Sequence, residues 1–136
     1  MRIDKTAQML LIFVGISGCF SVLFGAWLAH GGQSLPLLSQ QRLDTALQYQ
    51  FLHTLAVFLS VIFFRVTGNK VAFYAGIFFM LGVILFSGSL YLKTFSNITV
   101  ITKLAPFGGV MFAFAWLLLA YSSKGLFNKR VGKGSE

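Results

Sequence analysis

Acidic residues are almost missing from this 136-residue chain: Asp4, Asp44 and Glu136 are all it has, and charged residues make up 10%. A water-soluble domain usually carries about 25%. None of the three carboxylates lies inside an apolar run, which argues against a carboxylate proton relay through a membrane. Cys19 is the lone cysteine, so no internal disulfide can form. With only His30 and His53 beside it, the chain is poor in ligands for a zinc site, which takes three or four from the protein, and no metal site is expected. No Ser/Cys–His–Asp set can be assembled, and Gly31-Gly32 lacks the flanking residues of a phosphate-cradling loop. Catalysis is therefore not expected.

Apolar side chains are what the chain has in excess. Hydrophobic residues make up 57%, Phe alone supplies 16, and the mean hydropathy is +0.80. A water-soluble fold of this size cannot hide so much apolar surface. The composition predicts one integral membrane domain over residues 1–136. A spanning helix needs about 20 mostly apolar residues. Four segments qualify: residues 9–28, 45–64, 71–92 and 104–123, none with a charge inside. They are too long for barrel strands and lack apolar/polar alternation. The fold class expected is all-α, an antiparallel four-helix bundle in the membrane. Residues 124–136 read as a flexible basic tail.

Thr67-Gly68-Asn69 marks a tight turn that makes the second and third spans neighbours. The longest connection runs from Gly31 to Asp44, and Ser39 is placed to cap an early start of the second helix. Arg2, Lys5, Arg65, Lys70, Lys124, Lys129, Arg130 and Lys133 fall on one side of such a bundle; Arg42, Lys93 and Lys103 fall on the other. The positive-inside rule then places both termini in the cytoplasm. The net charge of +8 becomes a topogenic fringe that meets anionic lipids at the cytoplasmic face. Nucleic acid is not an expected partner, because no soluble module exists to read it. Ile16-Ser17-Gly18-Cys19 has the form of a lipoprotein cleavage box, but Phe20–Ala29 continues apolar where a lipoprotein would turn polar, so the first span is read as retained.

Inside lipid, small residues and polar contacts hold helices together. Ser17, Ser21, Gly25 and Ala29 recur every four residues along the first span. Ala75, Gly82 and Ser89 share a face of the third, and Gly109, Ala113 and Ala120 a face of the fourth. Gly88, Pro106, Gly108 and Gly109 complete the expected packing positions. Polar side chains gather at the end opposite the termini: His30, Gln50, His53, Ser87, Ser89 and Tyr91. Each taken singly reads as interhelical glue, and their shared depth predicts one connected polar group that binds a lipid or partner.

Gly25-Ala26-Trp27-Leu28-Ala29-His30-Gly31, Tyr49-Gln50-Phe51-Leu52-His53-Thr54-Leu55-Ala56, Leu85-Phe86-Ser87-Gly88-Ser89-Leu90-Tyr91 and Pro106-Phe107-Gly108-Gly109 with Trp116 stand in this order. Together they resemble the YgdD-like family of small four-span membrane proteins, a family without assigned function. The resemblance implies a multi-pass inner-membrane protein and no known activity or cofactor. Two positions depart from the family pattern. Leu28 stands where Gly is usual, which implies looser packing at the end of the first helix. Ala105 stands where Thr is usual, which moves any hydroxyl cap of the fourth helix to Thr102.

The readings that remain come from different classes. The first is a non-enzymatic structural, lipid- or partner-binding protein, with a second copy of the chain or another membrane protein as its contact. The second is a small oligomeric transporter or pore, with the Gly-rich breaks as its signal. The third is a haem-binding redox protein using His30 and His53 as axial ligands, a reading disfavoured because the small stripe near His30 leaves no gap for a macrocycle, so no cofactor is expected.

Overall fold

A computed structural model describes residues 2–96 and 98–124; the tail beyond Lys124 lies outside them. Four helices follow in chain order: α1 (Arg2–His30), α2 (Leu37–Thr67), α3 (Lys70–Ser96) and α4 (Ala105–Ser122). Short 3₁₀ turns at Gly32–Ser34 and Thr99–Leu104 join α1 to α2 and α3 to α4. All four are long and apolar enough to cross a membrane. The fold is an all-α multi-pass bundle.

The helices outrun the apolar runs. α1 begins at Arg2 rather than Met9, and α2 at Leu37 rather than Thr45. Pro36 (φ −54°) is the N-cap of α2, and Ser39 lies within the first turn, its N–H donating to the Pro36 carbonyl at 2.8 Å. Ser39 is therefore not the cap: the pyrrolidine ring presets helical φ three residues earlier. The Leu104 N-cap of α4 makes no side-chain cap hydrogen bond, and Pro106 sits in the first turn.

α2 and α3 are the inner pair, with 39% and 44% of their spans buried against 17% for α1 and for α4. Their connection is two residues. Gly68 takes the left-handed conformation (φ 71°) and its N–H donates to the Phe64 carbonyl at 2.8 Å. Asn69 then serves three helices. Its backbone N–H reaches Thr67 Oγ1 (3.1 Å), its Oδ1 accepts from the Val71 N–H (2.9 Å), and its Nδ2 donates to the Ser122 carbonyl of α4 (2.8 Å). We call this the near end; Asp4 and Arg65 form an exposed ion pair there at 2.8 Å. At the far end, Arg42 of α2 donates to Thr94 Oγ1 of α3 at 3.4 Å.

The core is a slab of small and aromatic residues in which Leu10, Val57, Val61, Ala75, Phe79 and Ala115 are almost wholly covered. Glycines set two close approaches. A Cβ on Gly108 would lie 2.5 Å from the Phe86 nitrogen, and one on Gly82 would lie 2.6 Å from the Phe112 ring, so α3 and α4 meet backbone to backbone. Gly76 does the same for α3 against Ser60 of α2, at 3.2 Å.

Several expected packing positions behave otherwise. Gly88 and Gly109 face open space, and Ala113 and Ala120 are exposed. The buried face of α4 is Gly108, Phe112, Ala115 and Ser122, about a third of a turn from the expected stripe. The Gly108–Phe86 approach fixes this rotation. On α1, Ser17 and Ser21 are buried and Gly25 meets Leu47 of α2, but Ala29 is exposed. Leu28, 6% exposed, folds onto Gly32, so the end of α1 is tight rather than loose.

Candidate functional site

The polar residues of the far half form two separate centres. The first is a seam joining α1, α2 and α3. Tyr91 Oη of α3 donates to Gln50 Oε1 of α2 at 2.7 Å. The same amide donates through Nε2 to Ser17 Oγ of α1 at 3.0 Å. Ser17 Oγ also bonds Thr54 Oγ1 at 2.7 Å, and Ser21 Oγ donates to the Ser17 carbonyl at 2.8 Å. Gln50 and Thr54 are one turn apart on α2 and reach the same α1 residue. Phe20 and Phe24 meet the Tyr91 ring edge-on, at centroid distances of 5.6 and 5.2 Å.

The second centre is His53, which faces α4. Its Nδ1 lies 2.7 Å from the Tyr49 carbonyl and its Nε2 accepts from Trp116 Nε1 at 3.2 Å. A carbonyl only accepts, so Nδ1 carries the proton and Nε2 the lone pair. The ring stacks on Phe112 (3.6 Å, 12°), with Phe79 and Trp116 at 5.7 and 6.1 Å. The imidazole is thus a neutral, doubly bonded plug in an aromatic box.

The remaining expected members stand apart. Ser87 Oγ crosses to the Ala46 carbonyl of α2 at 2.8 Å, whereas Ser89 Oγ turns back on Phe86 of its own helix. His30 is exposed at the end of α1 and has no hydrogen bond among the described residues. One connected group of six is not what the structure holds: it joins Gln50 to Tyr91 and leaves His53, Ser87, Ser89 and His30 outside that seam. Equal depth along a helix axis does not fix direction around it. The alternative haem pair, His30 with His53, does not fit these residues either. His53 has no free nitrogen, and His30 does not enter the box.

Sequence reasoning passed over Thr54 and the role of Trp116. Both carried a signal: Thr54 lies one turn after Gln50, and an indole N–H within an apolar span must find an acceptor. Among the described residues no buried side-chain nitrogen or oxygen lacks a partner. No three His, Cys, Asp or Glu among them cluster closely enough to hold a metal. The arrangement can tie helices together and fix their rotation.

Comparison with known proteins agrees with the motif pattern. The family described as "Protein of unknown function (DUF423)" matches residues 24–109, which take in the far end of α1, the Gln50–Thr54 stretch, Tyr91 and Gly108. A UPF0382 membrane protein of Haemophilus influenzae is 40% identical over 114 residues, covering 83% of this chain and 91% of its own. The UPF0382 inner membrane protein YgdD of Escherichia coli K12 is 33% identical, covering 84% and 88%. The Bacillus subtilis UPF0382 membrane protein YwdK is 29% identical, covering 85% and 96%. No solved structure matches. With its four apolar helices and most of its length shared with these relatives, the chain belongs to the UPF0382 (DUF423) family of membrane proteins.

Proposed function

We propose that this is a non-catalytic inner-membrane protein that acts through its lipid-facing surfaces, binding lipid or a partner membrane protein. The observation that carries this reading is the pairing of every buried polar side chain among the described residues. Tyr91, Gln50, Ser17, Thr54, His53 and Trp116 are turned on one another, so the interior has no polar group left to offer a substrate. Such a seam fixes helix rotation, and what remains for recognition is the outside. α1 and α4 supply most of that outside, since they are the less covered helices.

The same reading places the near end in the cytoplasm. Lys5, Arg65, Lys70 and Lys124 gather there, with only Arg42, Lys93 and Lys103 at the far end of the described residues. The Escherichia coli relative's name, an inner membrane protein, supports the location.

Purification in mild detergent, followed by mass spectrometry of what remains bound, tests the reading. The expected result is a stoichiometric lipid or membrane protein. Solute flux by the chain in proteoliposomes, or turnover of a lipid, overturns it.

A further inference from the structure

At the near end, a cleft of about 490 Å³ lies between α1 and α2. Its accessible walls are apolar, Leu11 of α1 and Ile62 of α2, with the covered Ala7 and Val61 beneath them. Its mouth is charged, because Asp4 and Arg65 stand at the rim. We infer that this cleft seats one phospholipid with a phosphoethanolamine headgroup, an acyl chain along the apolar floor and the headgroup on the Asp4–Arg65 pair. The inference rests on the surface-binding role proposed above and names the ligand class.

The environment demands an occupant for the lower part. At hydrocarbon depth water does not fill an apolar cleft, and a void forfeits dispersion contacts along its lining. An acyl chain is the filler the bilayer supplies.

The rim selects the headgroup. Arg65 Nη1 donates to Asp4 Oδ1 at 2.8 Å, a single contact rather than a two-pronged one. Among the described residues, the other guanidinium N–H groups and Asp4 Oδ2 have no partner. A phosphate can therefore add to Arg65 while an ammonium adds to Asp4, without breaking the pair. The side chains are 61% and 68% exposed, so neither has to be uncovered first. Gln8 lines the cleft between rim and floor, where glycerol ester carbonyls would lie.

The pair discriminates by sign and by donor. A trimethylated choline has no N–H to give Asp4. An anionic phosphoglycerol meets Arg65 favourably, with Lys5, Lys70 and Lys124 at the same end, but brings Asp4 no ammonium. A primary ammonium beside a phosphate answers both charges.

The test is native mass spectrometry of the full chain in detergent micelles, with equimolar dioleoyl phosphatidylethanolamine, phosphatidylcholine and phosphatidylglycerol. The ethanolamine lipid should be retained about fivefold over phosphatidylcholine, the upper end of what an exposed ion pair contributes. Asp4→Asn should erase the preference over phosphatidylcholine, Arg65→Gln should weaken all three, and Ile62→Trp should fill the cleft and expel lipid of every class. Both charged side chains are exposed, so the variants should keep the helix content seen by circular dichroism. Equal retention of the ethanolamine and choline lipids overturns the site. So does a preference unmoved by Asp4→Asn and Arg65→Gln, or a second copy of the chain occupying the cleft. Those failures leave the surface-binding role standing, since that role falls to solute flux or turnover instead.

Discussion

Tyr91 decides which way Gln50 points. The phenol donates to Oε1, so the amide nitrogen faces α1 and finds Ser17. One hydroxyl on α3 thereby orients a contact between α1 and α2, two helices it does not belong to.

Tyr91→Phe should remove that orientation and cost about 1 kcal/mol, the scale of hydrogen bonds within membranes. Gln50→Leu should cost more, about 2 kcal/mol, because it strands the Tyr91 hydroxyl and leaves Ser17 with Thr54 alone. Reversible unfolding in mixed micelles measures both. The double variant should lose less than the sum, since the two changes share one network.

The α3–α4 contact gives a sharper contrast between neighbours. Gly108→Ala should destabilise by about 1–3 kcal/mol, as the new methyl would press on the Phe86 backbone. Gly109→Ala should be neutral or stabilising by up to about 1 kcal/mol, because its Cβ meets open space. The same unfolding assay ranks them; equal costs would contradict the rotation of α4.

His53 is predicted to act as a stacked ring first and a hydrogen-bonding group second. His53→Phe should keep the Phe112 stack and lose about 1 kcal/mol, while His53→Ala should open a cavity and lose about 2 kcal/mol or more. Trp116→Phe, which deletes the donor to Nε2, should resemble His53→Phe. Unfolding midpoints of the three variants provide the check.

At the near end, Asn69→Ala should cost about 1 kcal/mol, the usual worth of a helix cap. Its amides should exchange faster at the start of α3 and around Ser122 together, since one side chain serves both. Hydrogen exchange by mass spectrometry reads this directly.

The orientation is tested by fusion. A reporter active only outside the cytoplasm should be silent after Glu136 and active near Gln33. The reverse pattern would invert the bundle.

Much of this architecture was readable in advance. Hydropathy located the four spans, and turn-forming residues the Thr67-Gly68-Asn69 link, because both depend on residues close in sequence. It did not locate the helix ends. Hydropathy reports hydrocarbon depth, while α1 and α2 persist through the interface as long as a cap such as Pro36 allows. Rotation about each axis was the hardest property to read. α4 is apolar on every side, so Gly108 and Gly109 look alike until Phe86 is placed against one of them. The candidate site suffered from the same ambiguity. Gln50 and Tyr91 do meet, but the His53–Trp116 pair spans 63 positions, and no local pattern announces it.

The two-residue connection between α2 and α3 also sets a mechanical hierarchy. A link that short has no slack, so the inner helices move as a single rigid hairpin. α4 is locked to its face through Gly82 and Gly108, whereas α1 hangs from it by a longer connection and buries far less of its length. Any adjustment to bilayer thickness or to a docking neighbour is then made by α1, swinging against a fixed chassis.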